Sequence, residues 1–160
     1  MSERGERLAA GLLSRVDEVQ ATIEPLDDAT WARICEAEGW PIGMVAYHLG
    51  LGFRRQGGWL AQHVKGGRPH DFSWDETHAL NAAFAARSGL PTKDQTRRFL
   101  DKTSRHFASI VRALSDEQLD ATAYVYKEKP RSADWVVAVL AYVHIDGHLA
   151  SIRATLGRSA

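Results

Sequence analysis

A single cysteine, Cys35, stands in a chain of 160 residues. No disulfide can form within the chain, and a cytoplasmic setting is the expectation. Charge of one sign is missing as well: 20 Lys and Arg balance 20 Asp and Glu, and basic residues alternate with acidic ones, as in RRFLDKTSR. This excludes a broad electrostatic pull on nucleic acid or on an anionic membrane surface. No apolar run approaches the roughly 20 residues needed to span a bilayer. The opening MSERGERLAAGLL lacks the apolar core of a signal peptide, so no membrane partner is expected. A Gly-rich phosphate loop, GxSxG, HExxH, a CxxC pair and a basic-aromatic patch are all absent. Strand-like runs are scarce: Tyr124-Val125-Tyr126 is too short to support a sheet alone.

What is present is helical periodicity. Leu8, Leu12, Leu13, Val16, Val19 and Ile23 recur at three and four, which predicts an amphipathic helix from about Glu3 to Ile23, closed before Pro25. A short turn capped by Asp28 or Thr30 carries Trp31 and Ile34. Pro41 is suited to the first turn of a second long helix, with Ile42, Val45, Leu49, Phe53, Leu60 and Val64 as its stripe and Lys65-Gly66-Gly67 as its stop. Residues 68–73 read as a loop. A short helix follows over SWDETHALNAAFAARSG, then a long one from about Lys93 to Leu114, then a turn from Ser115. Residues 121–131 read as a connection. The last helix runs from Ser132, which can cap free amides, to Gly157. Its apolar residues surround the axis, which predicts burial on most faces. Four long helices with short extra helices in the connections give an all-α four-helix bundle, one domain over residues 1–160.

Three histidines carry the candidate chemistry. His144 and His148, at i and i+4, leave the same face of the last helix. His48 lies roughly 10 Å below the start of its helix, and His148 and His144 about 12 and 18 Å from the end of theirs. If the two helices run antiparallel, the three imidazoles reach a similar depth and form the three-nitrogen set of a divalent-metal site with an open position. A packed histidine pair is the competing reading. His63, roughly 22 Å further along than His48, cannot share that site. His70 and His78 are expected at the surface, His106 as a packed core residue, and Cys35 as a small packed residue. The five tryptophans are expected as core and interface anchors rather than a substrate stack.

The segment GWPIGMVAYHLG resembles the W-(x)7-H-L signature of DinB-like proteins, and VVAVLAYVHIDGHLASIRATLG resembles their closing HxxxH helix. DETHALNAAFAAR is similar to a segment of the mycothiol-dependent maleylpyruvate isomerase N-terminal domains. The resemblance implies up-down-down-up connectivity with the second and fourth helices antiparallel. It also implies a metal triad of His48, His144 and His148 holding zinc, nickel or another divalent ion, and a homodimer.

Three functions compete. The first is a metal-dependent transferase or isomerase acting with a low-molecular-weight thiol such as mycothiol or bacillithiol on a small-molecule substrate, with Asn81 and Tyr47 as orienting groups. The second is a metal-dependent hydrolase, ranked lower because carboxylates near the histidines are scarce and Asp146 points away. The third is a non-enzymatic metal-binding or stress-associated bundle. No catalytic residue is assigned.

Overall fold

A computed structural model describes residues 2–87 and 89–157. The ends of the expected 1–160 domain, and Ser88 near the end of the short helix expected over residues 73–89, lie outside the described residues. Four long helices form the body: α1 (Glu3–Ile23), α3 (Ile42–Val64), α5 (Lys93–Ala113) and α7 (Ala133–Thr155). Shorter helices occupy the connections: α2 (Asp28–Trp31), α4 (Trp74–Arg87) and α6 (Asp116–Asp120).

Capping sets most of these boundaries. Ser2 accepts from the Gly5 amide at the start of α1, and Thr92 forms a reciprocal capping box with Gln95 at the start of α5. Ser115 does the same with Gln118, and Ser132 accepts from the Trp135 amide, 3.1 Å away, at the start of α7. Two expectations shift by a position. Asp27 rather than Asp28 or Thr30 caps α2, and Pro41 is the residue before α3 rather than within its first turn.

Paired contacts give the directions. Glu6 meets Arg112, and Gln20 meets Arg97, so α1 and α5 are antiparallel. Gly50 lies against Phe99 and Gly57 against Phe107, so α3 runs parallel to α5. The ion pairs Arg4–Asp134, Arg15–Asp146 and Arg153–Glu18 step in register, so α7 runs parallel to α1. The connectivity is up-down-down-up, and α3 and α7 pack antiparallel. Leu12, Val16, Leu49, Phe53, Leu100, Phe107, Ile145 and Ile152 meet at the centre, each contributing roughly 1.5–3 kcal/mol by leaving water.

Two features depart from the sequence reading. The connection at residues 121–131 is a β-hairpin, β4 (Thr122–Tyr126) and β5 (Lys129–Ser132), joined by Lys127 and Glu128 at φ 49° and 62°. The segment read as a loop adds β3 (His70–Asp71) parallel to β4. A second small pair, β1 (Ile34–Cys35) with β2 (Trp40–Pro41), precedes α3. The tertiary edge supplied by β3 and the packing of Tyr124 into the core stabilise what a short strand alone could not.

The last helix also differs. It contains a π-helical stretch, Val136–Ala141, in which the Tyr142 amide reaches back to Val137 O. Its faces are not all buried: Val139 is 39% and Val143 64% exposed. By length and composition this helix resembles a membrane span, yet it packs as the fourth helix of the bundle. His106 is exposed on α5 rather than packed in the core, while Cys35 is buried as expected.

Candidate metal centre

The antiparallel packing of α3 and α7 brings His48 to His144 and His148. One nitrogen from each of the three can be chosen so that all lie within 4.8 Å of one another. His48 Nε2 and His144 Nε2 are 3.1 Å apart, close to the spacing expected of two nitrogens each about 2.1 Å from a shared ion. Gly52, one turn beyond His48, makes room for the ring of His144. A Cβ there would stand 3.0 Å from His144 Cε1.

The third ring is oriented by a carboxylate. Glu38 Oε1 lies 2.8 Å from His148 Nδ1, and Glu38 Oε2 accepts from Ser151 Oγ. Glu38 sits in the β1–β2 turn, where Gly39 takes φ 68° and donates its amide to Cys35 O at 2.8 Å. That left-handed residue folds the turn so that Glu38 faces α7. With the proton on Nδ1 shared with the carboxylate, the lone pair of His148 is left on Nε2.

The electrostatics favour neutral imidazoles. Burial pushes the His48 pKa down to about 3, with His148 and Arg55 adding to the effect. His144 is held well below the usual imidazole range, again chiefly by burial and then by His148, His48 and Arg55. His144 keeps part of its surface open to the cavity, but its Nδ1 is enclosed and has no partner; His48 Nδ1 is in the same state. Protonation of these two rings is therefore costly, and both remain neutral nitrogen donors. The donor set fits a borderline divalent ion such as zinc or nickel.

The triad lies in the wall of a cavity of about 990 Å³. One stripe of α3, His48, Gly52, Arg55, Gln56 and Trp59, lines it. Trp40, Trp74 and Trp135 line it too. Trp31 is a core residue, and Trp40, Trp59 and Trp135 pack against the core as expected while also lining the cavity; Trp74 is half exposed at the cavity and departs from the expectation. His70 is half-buried, stacked on Trp59 with ring centroids 4.1 Å apart, rather than free at the surface. His78 is exposed at the cavity edge, and His63 approaches Gln118 O at 3.4 Å.

The two expected orienting residues separate. Asn81 lines the cavity, where its Oδ1 meets Arg55 Nη1 at 3.5 Å. Tyr47 does not line it. Its ring stacks between Phe84 and Phe99, at 5.7 and 4.5 Å, and lines a second cavity of about 590 Å³. It sits next to His48 in the chain, about 100° round the helix, and so faces away. Asp146 pairs with Arg15, away from the histidines as expected, but the scarcity of carboxylates is corrected by Glu38. Glu38 carried no local signal, since its partner lies 110 positions away. Arg55 was legible as His48 plus seven, two turns along the same face.

Comparison with curated proteins gives no match, and comparison with solved structures gives none. Comparison with protein families matches the DinB superfamily over residues 10–152, a span that contains the three histidines, all of α3 and α5 and most of α1 and α7. The chain belongs to the DinB superfamily.

Proposed function

We propose that this protein is a divalent-metal-dependent enzyme that uses a low-molecular-weight thiol, as a transferase or isomerase, on a small organic substrate. The observation that carries the reading is the convergence of three imidazole nitrogens within 4.8 Å beside a large aromatic cavity. His48, His144 and His148 would hold the ion, zinc or nickel. Bound there, a divalent ion supplies positive charge that lowers the pKa of a thiol or water reaching it.

The chain's own residues do the rest. Glu38 fixes the tautomer of His148 and keeps its lone pair directed away from the carboxylate. The tryptophan-lined cavity offers an apolar wall to the substrate beside the histidines. Glu38 is the one carboxylate hydrogen-bonded to the triad among the described residues, and both its oxygens are engaged. Among the described residues no second carboxylate is hydrogen-bonded to the histidines. That favours a thiol, which needs only to lose its proton, over hydrolysis, which draws on a general base for water. Mycothiol or bacillithiol is the thiol class in view. A homodimeric state and a cytoplasmic setting belong to the same proposal.

Cobalt(II)-loaded protein titrated with a low-molecular-weight thiol tests it. A sulfur-to-cobalt charge-transfer band is expected with the thiol, absent with the matching alcohol and absent in His48→Ala. A cobalt spectrum unmoved by any thiol contradicts the thiol reading and moves hydrolysis ahead.

A further inference from the structure

Arg55 has no role in holding the triad, yet it faces the same cavity. Its guanidinium carries five N–H donors in a planar fork. Among the described residues, its one side-chain hydrogen bond is the 3.5 Å contact to Asn81 Oδ1. Burial, and after it the nearby charge of Arg54, lower its pKa from the ordinary guanidinium value, and Glu76 on the α4 wall offsets part of that. No carboxylate of the described residues forms an ion pair with it, although other arginines along the bundle are paired at their surfaces. Around it the wall is aromatic, with Trp59 stacked on His70, and Phe72 edge-on to Trp74 at 4.9 Å. A half-buried cation with spare donors, set among flat apolar surfaces, selects a ligand that brings both an anion and a planar body.

We propose that Arg55 is the anion-binding subsite of this cavity, and that the ligand is a small aromatic organic acid. The carboxylate sits on the guanidinium, which Asn81 holds in place, and the ring lies along the Trp59 wall. The other end of the ligand points toward His48, His144 and His148. Seven residues separate His48 from Arg55, a rise of about 10 Å, the span of a one- or two-ring acid. The identity of the reacting end rests on the function proposed above; the selection of an anion does not.

Calorimetric titration of the full chain, zinc-loaded and chelator-stripped, with naphthalene-2-carboxylate and its neutral isostere naphthalene-2-carboxamide tests the subsite. In both metal states the acid is expected to bind at least about tenfold more tightly than the amide, as for one charge-assisted bidentate contact. Arg55→Gln should abolish that preference, Arg55→Lys should restore part of it, and Trp59→Ala should weaken acid and amide alike. Circular dichroism identifies any variant that fails to fold, and Arg55→Lys is then the deciding one. Equal affinity for acid and amide, binding of neither compound up to millimolar concentration, or a preference that survives Arg55→Gln overturns the proposal. A preference lost on stripping zinc but unmoved by Arg55→Gln would also overturn it, by assigning the anion to the metal. An Arg55-dependent preference in a protein that binds no metal would leave the subsite standing and refute the metal-enzyme reading alone.

Discussion

Glu38 Oε1 and His148 Nδ1 stand 2.8 Å apart across 110 positions of sequence, and this contact fixes which nitrogen of His148 is free. Replacing Glu38 by Gln keeps the shape but removes the negative charge that holds the proton on Nδ1. Zinc affinity, measured by competition with a chromogenic chelator, should fall by roughly ten- to a hundredfold. Ser151→Ala, which removes only the support of Glu38, should cost less. Unchanged affinity in Glu38→Gln would mean that the carboxylate serves packing alone.

Gly52→Ala tests the close approach of α3 to His144. The added methyl would lie 3.0 Å from Cε1 and 3.2 Å from Nδ1 of that ring. Alanine gains about 1 kcal/mol of helix propensity over glycine, which offsets part of the crowding. Metal affinity should therefore drop while the melting temperature of the metal-free protein changes little. Full affinity in a folded variant would show that the ring yields without leaving the site.

Gly43→Ala probes the bundle rather than the site. A Cβ there overlaps the indole of buried Trp31, whose Nε1 donates to Pro91 O at 2.8 Å. The overlap should displace that ring and lower stability by about 2 kcal/mol. In urea unfolding, a lower midpoint with unchanged slope is the expected outcome; wild-type stability would refute the packing argument.

The helices were legible because their signals are local. Thr92 with Gln95 and Ser115 with Gln118 are capping boxes within four residues, and the apolar stripes of α1, α3 and α5 repeat at helical period. The matched depth of His48 with His144 and His148 followed from helix rise once the two helices were taken as antiparallel, as the family resemblance implies. The β4–β5 hairpin was hidden because its tight turn uses Lys127 and Glu128 at positive φ, where Asn-Gly or Asp-Gly would have announced it. Its partner β3 is more than fifty residues upstream. The π-helical stretch in α7 rotates the residues beyond it, so Val143 faces outward where a regular wheel placed it among buried ones. Stacking of His70 on Trp59 and the hydrogen bond of Glu38 to His148 are tertiary events with no trace in neighbouring residues.

The metal-free protein should be acid-sensitive in a defined window. The folded-state pKa of His48 is pushed down to about 3 and that of His144 lies well below the ordinary value, both chiefly by burial. An unfolded histidine binds its proton near pH 6.5, so below that pH the unfolded state holds more protons and stability falls as pH falls. By pH 5 the loss from His48 should be on the order of 2 kcal/mol, with His144 adding in the same direction. Melting temperatures of chelator-treated protein between pH 7 and 5 should show that decline, and His48→Gln should flatten it. A flat profile in the parent would mean that the folded rings protonate freely.

The central claim is that His48, His144 and His148 form one metal centre, and metal content measures it most directly. Protein purified without an affinity tag should contain about one equivalent of zinc or nickel by elemental analysis, lost in both His48→Ala and His144→Ala. Folded parent protein that holds no stoichiometric metal even after reconstitution would contradict the claim, and leave the three imidazoles as packed neighbours in a helical bundle.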